Sequence, residues 1–276
     1  MPAHPPESAA KIRFFKSVLD EYLARYYKSG RVQSDPVRCV HEFRSKKDIE
    51  IAAFLTAPLA YGRAESIICS SDRVLKALGK SPYEAVGNFD KSKDARHFQD
   101  FVHRFTSQED MLQFIELTSL IVGRHGSLKK LFLRFDSVDE PVKNAMIRFV
   151  DHFRSGTRRL RPHLRYMLPS PADKSACKRF NLFLRWMVRP ADGVDFGLWP
   201  EVGKHRLIIP LDTHVGRISR ELGLLKRKSS DLKAAEELTG ILRKIDPEDP
   251  IRYDFALAHL GMTGDWKKIS PDMPCG

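Results

Sequence analysis

The chain has 276 residues, enough for one large domain or two smaller ones, each with its own core. Hydrophobic residues make up 42% and charged residues 30%, which excludes a disordered chain, and no apolar run approaches the ~18–20 residues of a membrane span. A total of 47 Lys and Arg against 35 Asp and Glu leaves a net charge of +12, which suits a polyanionic partner such as nucleic acid.

The opening MPAHPPESAA lacks an apolar core and does not read as a secretion signal, so residues 1–9 are expected to be a disordered leader. Apolar residues then recur at three- and four-residue spacing, which predicts helices. Residues 10–28 form an amphipathic helix, and 46–60 a buried one with Asp48 as a cap. A helix over about 64–78 stops at Gly79. Thr106 to Glu109 opens another with the character of a capping box, running to about Ile121. Further helices are expected over 140–153, 175–188, 213–222, 231–244 and 250–260, with a Gly-, Pro- and Asp-rich loop over 190–205. Strand signals are scarce, and no internal repeat is visible. The expected fold class is therefore all-α, with irregular loops rather than those of a simple bundle.

The cysteines Cys39, Cys69, Cys177 and Cys275 are far apart, with no Cys-x-x-Cys pair and no zinc spacing. Free thiols in a reduced, cytoplasmic compartment are expected, with no metal and no iron–sulfur cluster.

Three neighbouring segments hold the candidate chemistry. The run 154–165, RSGTRRLRPHLR, carries five arginines and no acid. It reads either as a solvated basic loop or as a phosphate-contacting strip through Arg158, Arg159 and Arg161. The second segment, 174–188, leads from Lys174 and Ser175 into a largely buried helix. Lys178 falls in its first turn. The positive end of the helix dipole disfavours a charged ammonium there and so favours the neutral amine a nucleophile needs. The plainer alternative is a surface lysine that snorkels. In the third, an apolar stretch, Ile208 to Leu211, delivers Asp212 to the start of a helix. Asp212 reads first as an N-cap, which also holds a carboxylate rigid and ionised.

The run PLDTHVGRISRELGL resembles the helix start that carries the catalytic aspartate in the helix-hairpin-helix–Gly/Pro/Asp superfamily of endonuclease III and the 8-oxoguanine glycosylases. Asp212, Thr213, His214, Arg217 and Ile218 fall in that register. Lys178, Asn181 and Leu182 to Leu184 fit the family's lysine-bearing helix. KKDIEIAAFLTAPLAYGR resembles its early helix, and YDFALAHLGM its closing one. The strings SACKRFNLFLRWMVR, GVDFGLWP and DPEDPIRYDFALAHLG also resemble a conserved bacterial and archaeal family without an established function. The superfamily's hairpin glycines are missing, and Lys174-Ser175-Ala176 stands in their place.

The resemblance implies a two-lobed fold. Residues 10–45 and 210–276 would form one lobe. Residues 46–209 would form a six-helix-barrel-like lobe, with a degenerate hairpin at about 170–178. It implies a base-excision repair enzyme on damaged double-stranded DNA, a glycosylase with lyase action and no cofactor, working as a monomer. The damaged base is extruded into a pocket, an oxidised purine being the lesion favoured on sequence. Lys178 would be the nucleophile, with Lys174 as the alternative register, and Asp212 the stabilising carboxylate. Phe196, Trp199 and His214 would line the base pocket, although the 193–199 loop reads equally as a core flap and His214 as a hydrogen-bonding partner. Ser175, Arg217, Lys226, Arg227 and Lys228 would join Lys174 and the arginine run on the backbone. The rival expectations are a nucleic-acid-binding protein without chemistry, a hydrolase of a modified nucleoside, and a basic interaction module.

Overall fold

The periodicities become helices with few changes. A computed structural model describes residues 9–28 and 30–269; of the expected leader, 1–9, residues 1–8 lie outside the described residues, as does Cys275, and Ala9 already belongs to the first helix. The α-helices are α1 (Ala9–Lys28), α2 (Lys46–Thr56), α3 (Ala64–Leu78), α4 (Pro82–Gly87), α5 (Lys91–Asp94), α6 (Gln108–His125), α7 (Leu128–Phe135), α8 (Val142–Ser155), α9 (Leu164–Met167), α10 (Lys178–Val188), α11 (Thr213–Glu221), α12 (Leu232–Ile245) and α13 (Asp254–Thr263). The fold is all-α. Among the described residues one two-stranded hairpin interrupts it, β1 (Val102–His103) pairing antiparallel with β2 (Thr106–Ser107). Among the described residues no helix is long and apolar enough to cross a membrane. Cys39, Cys69 and Cys177 are free thiols.

The ends of the helices follow their local chemistry. Helix α3 stops at Gly79, whose φ of 75° closes the last turn where a side chain would be strained. The box that opens α6 is Ser107 with Asp110, one residue later than the sequence window. Ser107 Oγ accepts from Asp110 N, and Asp110 Oδ2 accepts from Ser107 N. Asp48 does not cap its own helix. It lies inside α2, and its Oδ1 takes the Ser81 hydroxyl and the Tyr83 N–H at the start of α4. Helix α7 and the hairpin escape the sequence reading because both are short.

The buried core runs continuously from Phe15 to Ile269. Helix α1 packs on α12 and α13, as a lobe made from both ends of the chain requires. The 3-10 run Pro36–Glu42 instead packs on α2 and α3, so the 10–45 segment is shared between the two expected lobes. Helix α11, which begins at Asp212, lies against α13. The approach is close at Gly261, where a Cβ would meet His214 Cβ at 3.0 Å and Ile218 Cγ1 at 3.1 Å. This crossing sets the position of the candidate site.

Candidate functional site

Lys178 and Asp212 open two different helices and meet. Helix α10 buries Phe180, Phe183, Leu184, Trp186 and Met187, so Lys178 is left at the helix edge with its amine free to reach sideways. Its Nζ donates to the Ala60 carbonyl at 2.8 Å and stands 3.8 Å from Asp212 Oδ2. Asp212 is the N-cap of α11. Its Oδ1 accepts from Val215 N at 2.8 Å, which leaves Oδ2 turned toward the lysine. Both side chains keep about a quarter of their surface, 28% and 24%, open to solvent, so a substrate can reach them.

The two groups border a cleft of about 470 Å³, within the range of small-molecule sites. Asp35, Arg185, His214 and Asp254 also face it. Leu182, Val215, Phe255 and Met262 form its apolar wall, and Gly62 and Arg63 lie at one side. Behind the cleft is a knot of buried ion pairs. Arg185 reaches Asp195 with Nε and Asp254 Oδ2 with Nη1, the latter at 2.5 Å. Arg189 pairs with Asp195, Asp192 and Asp249. Burial pushes the carboxyls of Asp195 and Asp254 up to about 6 even though Arg185 pulls against it. Burial also raises Asp35. Burial opposes the charge of Arg185, yet the carboxylates of Asp195 and Asp254 outweigh it and hold the guanidinium charged. Of its three nitrogens, Nη2 is sealed from solvent and has no hydrogen-bond partner among the described residues.

Lys174 is not beside Asp212. It caps the 3-10 turn Pro171–Asp173, is exposed, and its carbonyl accepts from Leu232 N. Ser175 bridges to Asp231, so the basic loop Lys226-Arg227-Lys228 is tethered next to the 170–178 turn. Of Lys174-Ser175-Ala176, which stand in place of the hairpin glycines, only Lys174 is left-handed (φ 59°), and Cys177 just after them is left-handed too (φ 50°). Each such non-glycine residue costs roughly 1–2 kcal/mol, so the surrounding contacts hold this shape in place.

The pocket assignment of Phe196 and Trp199 is corrected. Trp199 is fully buried; its indole packs on Phe132 and Phe183 and donates to Glu50. Phe196 lies on His41, with ring centroids 4.4 Å apart. Neither residue lines the cleft. The reason is local: Phe196 N and Trp199 N bond the carbonyls of Trp186 and Met187 at the end of α10, so the loop folds back along the helix and turns its tryptophan inward. His214 does face the cleft, from the exposed first turn of α11.

The expected phosphate contacts divide into two groups. Arg161 is tied to Asp110, Arg227 to Asp231, and Arg217 to the Gly261 carbonyl. Arg158, Arg159, Lys226 and Lys228 are exposed and make no ion pair among the described residues. Sequence reasoning missed a ridge near the cleft. Arg179 stacks over Tyr166, its guanidinium carbon 3.7 Å from the ring centroid, and lies 5.5 Å from that of Tyr61. The tip of the hairpin presents Phe105, 71% exposed, next to Arg104, whose side chain packs on Gly62. His103 and Thr106 anchor the tip through bonds to Tyr61, Ser70 and His163. Asp35, Arg185 and Asp254 were missed too. The one available signal was an arginine pair, Arg185 and Arg189, on an apolar helix followed closely by Asp192 and Asp195. Among the described residues no group of three or more His, Cys, Asp or Glu is placed to hold a metal ion.

Residues 35–263 match a family described as "Protein of unknown function (DUF2400)", and the matched span holds every residue of the cleft. No curated protein and no solved structure matches the chain.

Proposed function

We propose, from the premise that the chain belongs to the DUF2400 family, that it is a DNA glycosylase with lyase action on a damaged base in duplex DNA. The observation that carries this reading is the approach of Lys178 Nζ to within 3.8 Å of Asp212 Oδ2 at an open cleft. An amine beside a fixed carboxylate is the pairing that covalent attack on a sugar carbon needs. Asp212 takes a proton from the Lys178 amine, which then bonds to the sugar C1′. The glycosidic bond breaks, and its electron pair leaves with the base, which takes up a proton. That proton comes from Asp212, whose restored carboxylate then offsets the positive charge on the sugar. The sugar ring then opens to an imine on Lys178, and loss of the adjacent proton permits elimination of the 3′ phosphate.

The rest of the surface supports a nucleic-acid partner. The charge of +12, the exposed Arg158, Arg159, Lys226 and Lys228, and the Arg179–Tyr166 ridge suit a phosphate backbone and unstacked bases. In the turn before α10, Lys174 and Cys177 take the left-handed backbone that glycines favour, which is compatible with a backbone anchor there. On this reading the protein acts as a cytoplasmic monomer.

A second reading, binding without chemistry, rests on one specific observation. Both candidate groups already have structural partners, Lys178 at the Ala60 carbonyl and Asp212 at the cap of α11.

Borohydride trapping on duplexes holding an abasic site, 8-oxoguanine or an oxidised pyrimidine separates the two. A covalent adduct lost in Lys178→Gln and kept in Lys174→Gln is expected, with a large loss in Asp212→Asn. Salt-sensitive binding with no adduct on any duplex would establish the second reading instead.

A further inference from the structure

Two histidines that do not line the cleft meet on neighbouring helices. His125 ends α6, and His152 lies in the last turn of α8. Their Nε2 atoms are 3.2 Å apart and their ring centroids 5.1 Å apart, with the ring planes at 69°. Two arrangements could account for this approach. In one, a ring donates its Nε2–H to the other ring's Nε2. The 3.2 Å separation is at the long limit for an N–H donor, and a straight bond of that length would set the centroids about 5.5 Å apart. In the other, both rings turn a lone pair toward one ion. Two imidazoles on a tetrahedral ion, with metal–nitrogen bonds of about 2.0–2.1 Å, hold their Nε2 atoms about 3.3–3.4 Å apart and their centroids about 5.2 Å apart. Both observed separations fall within about 0.2 Å of those values.

The surroundings hold the rings in place and favour a cation. Helices α6 and α8 pack on each other, and Phe135 lies on His152 with centroids 5.9 Å apart, so little ordering remains to be done on binding. Both rings stand at the C-terminal ends of their helices, where unsatisfied carbonyls carry partial negative charge. Burial, and then nearby positive charge, holds both imidazoles below their ordinary range, so each is neutral at neutral pH and keeps a lone pair. Arg124 and Arg134 act against a further cation, but both are exposed and screened by solvent.

We infer that His125 and His152 form a two-histidine site for a first-row transition dication of the zinc class, bound through both Nε2 atoms. The ring that donated from Nε2 then carries its proton on Nδ1, and the net proton count is unchanged. Imidazole nitrogen suits Zn2+, Ni2+ and Cu2+; Mg2+ and Ca2+ take oxygen ligands. Water completes the coordination. The ion clips the C-terminal ends of α6 and α8 together. The site is separate from the Lys178–Asp212 pair and stands whether or not the cleft acts on DNA. Cysteine spacing carried no sign of it, because its ligands are two histidines on different helices.

The test uses the full chain without an affinity tag, stripped with EDTA and titrated with ZnCl2 by calorimetry. One Zn2+ per chain is expected, bound more tightly than free imidazole binds it and not displaced by Mg2+. His125→Gln and His152→Gln are each expected to weaken binding roughly tenfold. His97→Gln, at an exposed histidine elsewhere, is expected to leave it unchanged. Zn2+ should raise the melting temperature of the wild type and of neither His125→Gln nor His152→Gln. Proton–nitrogen correlation spectra of the histidine rings, recorded on the wild type, should show both Nε2 resonances moving together. This readout needs no variant to fold.

Nε2 resonances of His125 and His152 that stay in place at a large excess of Zn2+ overturn the site, whatever else on the chain binds the ion. Loss of binding in only one of the two variants leaves a lone surface imidazole and overturns the chelate. Binding no tighter than that of free imidazole overturns it as well.

Discussion

Trp199 donates its indole N–H to Glu50 Oε1 over 3.0 Å, joining positions 149 residues apart. The same carboxylate accepts from Leu128 N and Lys129 N and so closes the start of α7 from a distant helix. Trp199→Phe keeps the packing on Phe132 and Phe183 but leaves Glu50 one donor short. A loss of about 1–3 kcal/mol is expected in denaturant unfolding. A change within error would mean that water replaces the indole.

Asp212 has two roles that substitution can separate. Asparagine still caps a helix, whereas alanine does not. Asp212→Asn should keep the stability of the wild type, and Asp212→Ala should lose about 1 kcal/mol. Trapped adduct should fall by the same large factor in both. If adduct falls only in the destabilised alanine variant, Asp212 acts through the fold.

The carboxyls of Asp195 and Asp254 give a pH dependence with a definite sign. Both lie near 6 in the folded chain and near 3.8 otherwise. The folded state therefore binds their protons more tightly. Their contribution to stability is complete below about pH 3.8 and is lost as pH rises through about 6. Asp254→Asn cannot ionise, so its melting temperature should gain on that of the wild type between pH 4.5 and pH 7. A constant difference across that range would contradict the assignment.

Phe105 at the hairpin tip is exposed and rests on no core residue, so its removal should leave the fold intact. Under the nucleic-acid reading it stacks on an unpaired base, a contact of roughly 1–3 kcal/mol. Phe105→Ala should weaken binding to a duplex with an abasic gap by about tenfold while the salt slope stays the same. Unchanged affinity would assign the hairpin another role.

At the crossing of α11 and α13 a Cβ on Gly261 would lie 3.0 Å from His214 Cβ and 3.1 Å from Ile218 Cγ1, so the neighbours must give by a few tenths of an ångström to admit it. Gly261→Ala places a methyl group against His214 and Ile218, and overpacking of this kind costs about 1–3 kcal/mol. It also shifts the helix that carries Asp212. Activity should fall further than stability alone explains, as a comparison of kcat well below the melting temperature would show.

The sequence made the helices legible wherever they were long and strongly periodic, as in α1, α3, α8 and α12. It missed α7 because LKKLFLRF is eight residues long and directly follows the Gly126-Ser127 stop. Lys178 and Asp212 were readable because each opens an amphipathic helix. The apolar face of α10 also set the register that put Lys178, not Lys174, at the cleft. Asp35 and Asp254 were not readable. Each looks like an ordinary polar residue near a helix start, and only the packing of distant segments brings them to Arg185. Trp199 misled because an aromatic residue in a Gly-rich loop suits a pocket and a core equally well. The backbone bonds to α10 that decide between them carry no side-chain signature.

Arg185 stands at once in the cleft and in the ion-pair knot that binds α10 to Asp195 and, through Arg189, to Asp249. Occupancy and folding therefore share one thermodynamic account. A ligand that fills the cleft would stabilise the native chain in proportion to the logarithm of its concentration. By the same linkage, a change at Asp249, which does not line the cleft, would alter affinity by changing how firmly the ion-pair knot behind the cleft is held. The far side of the knot is thus a remote handle on the cleft.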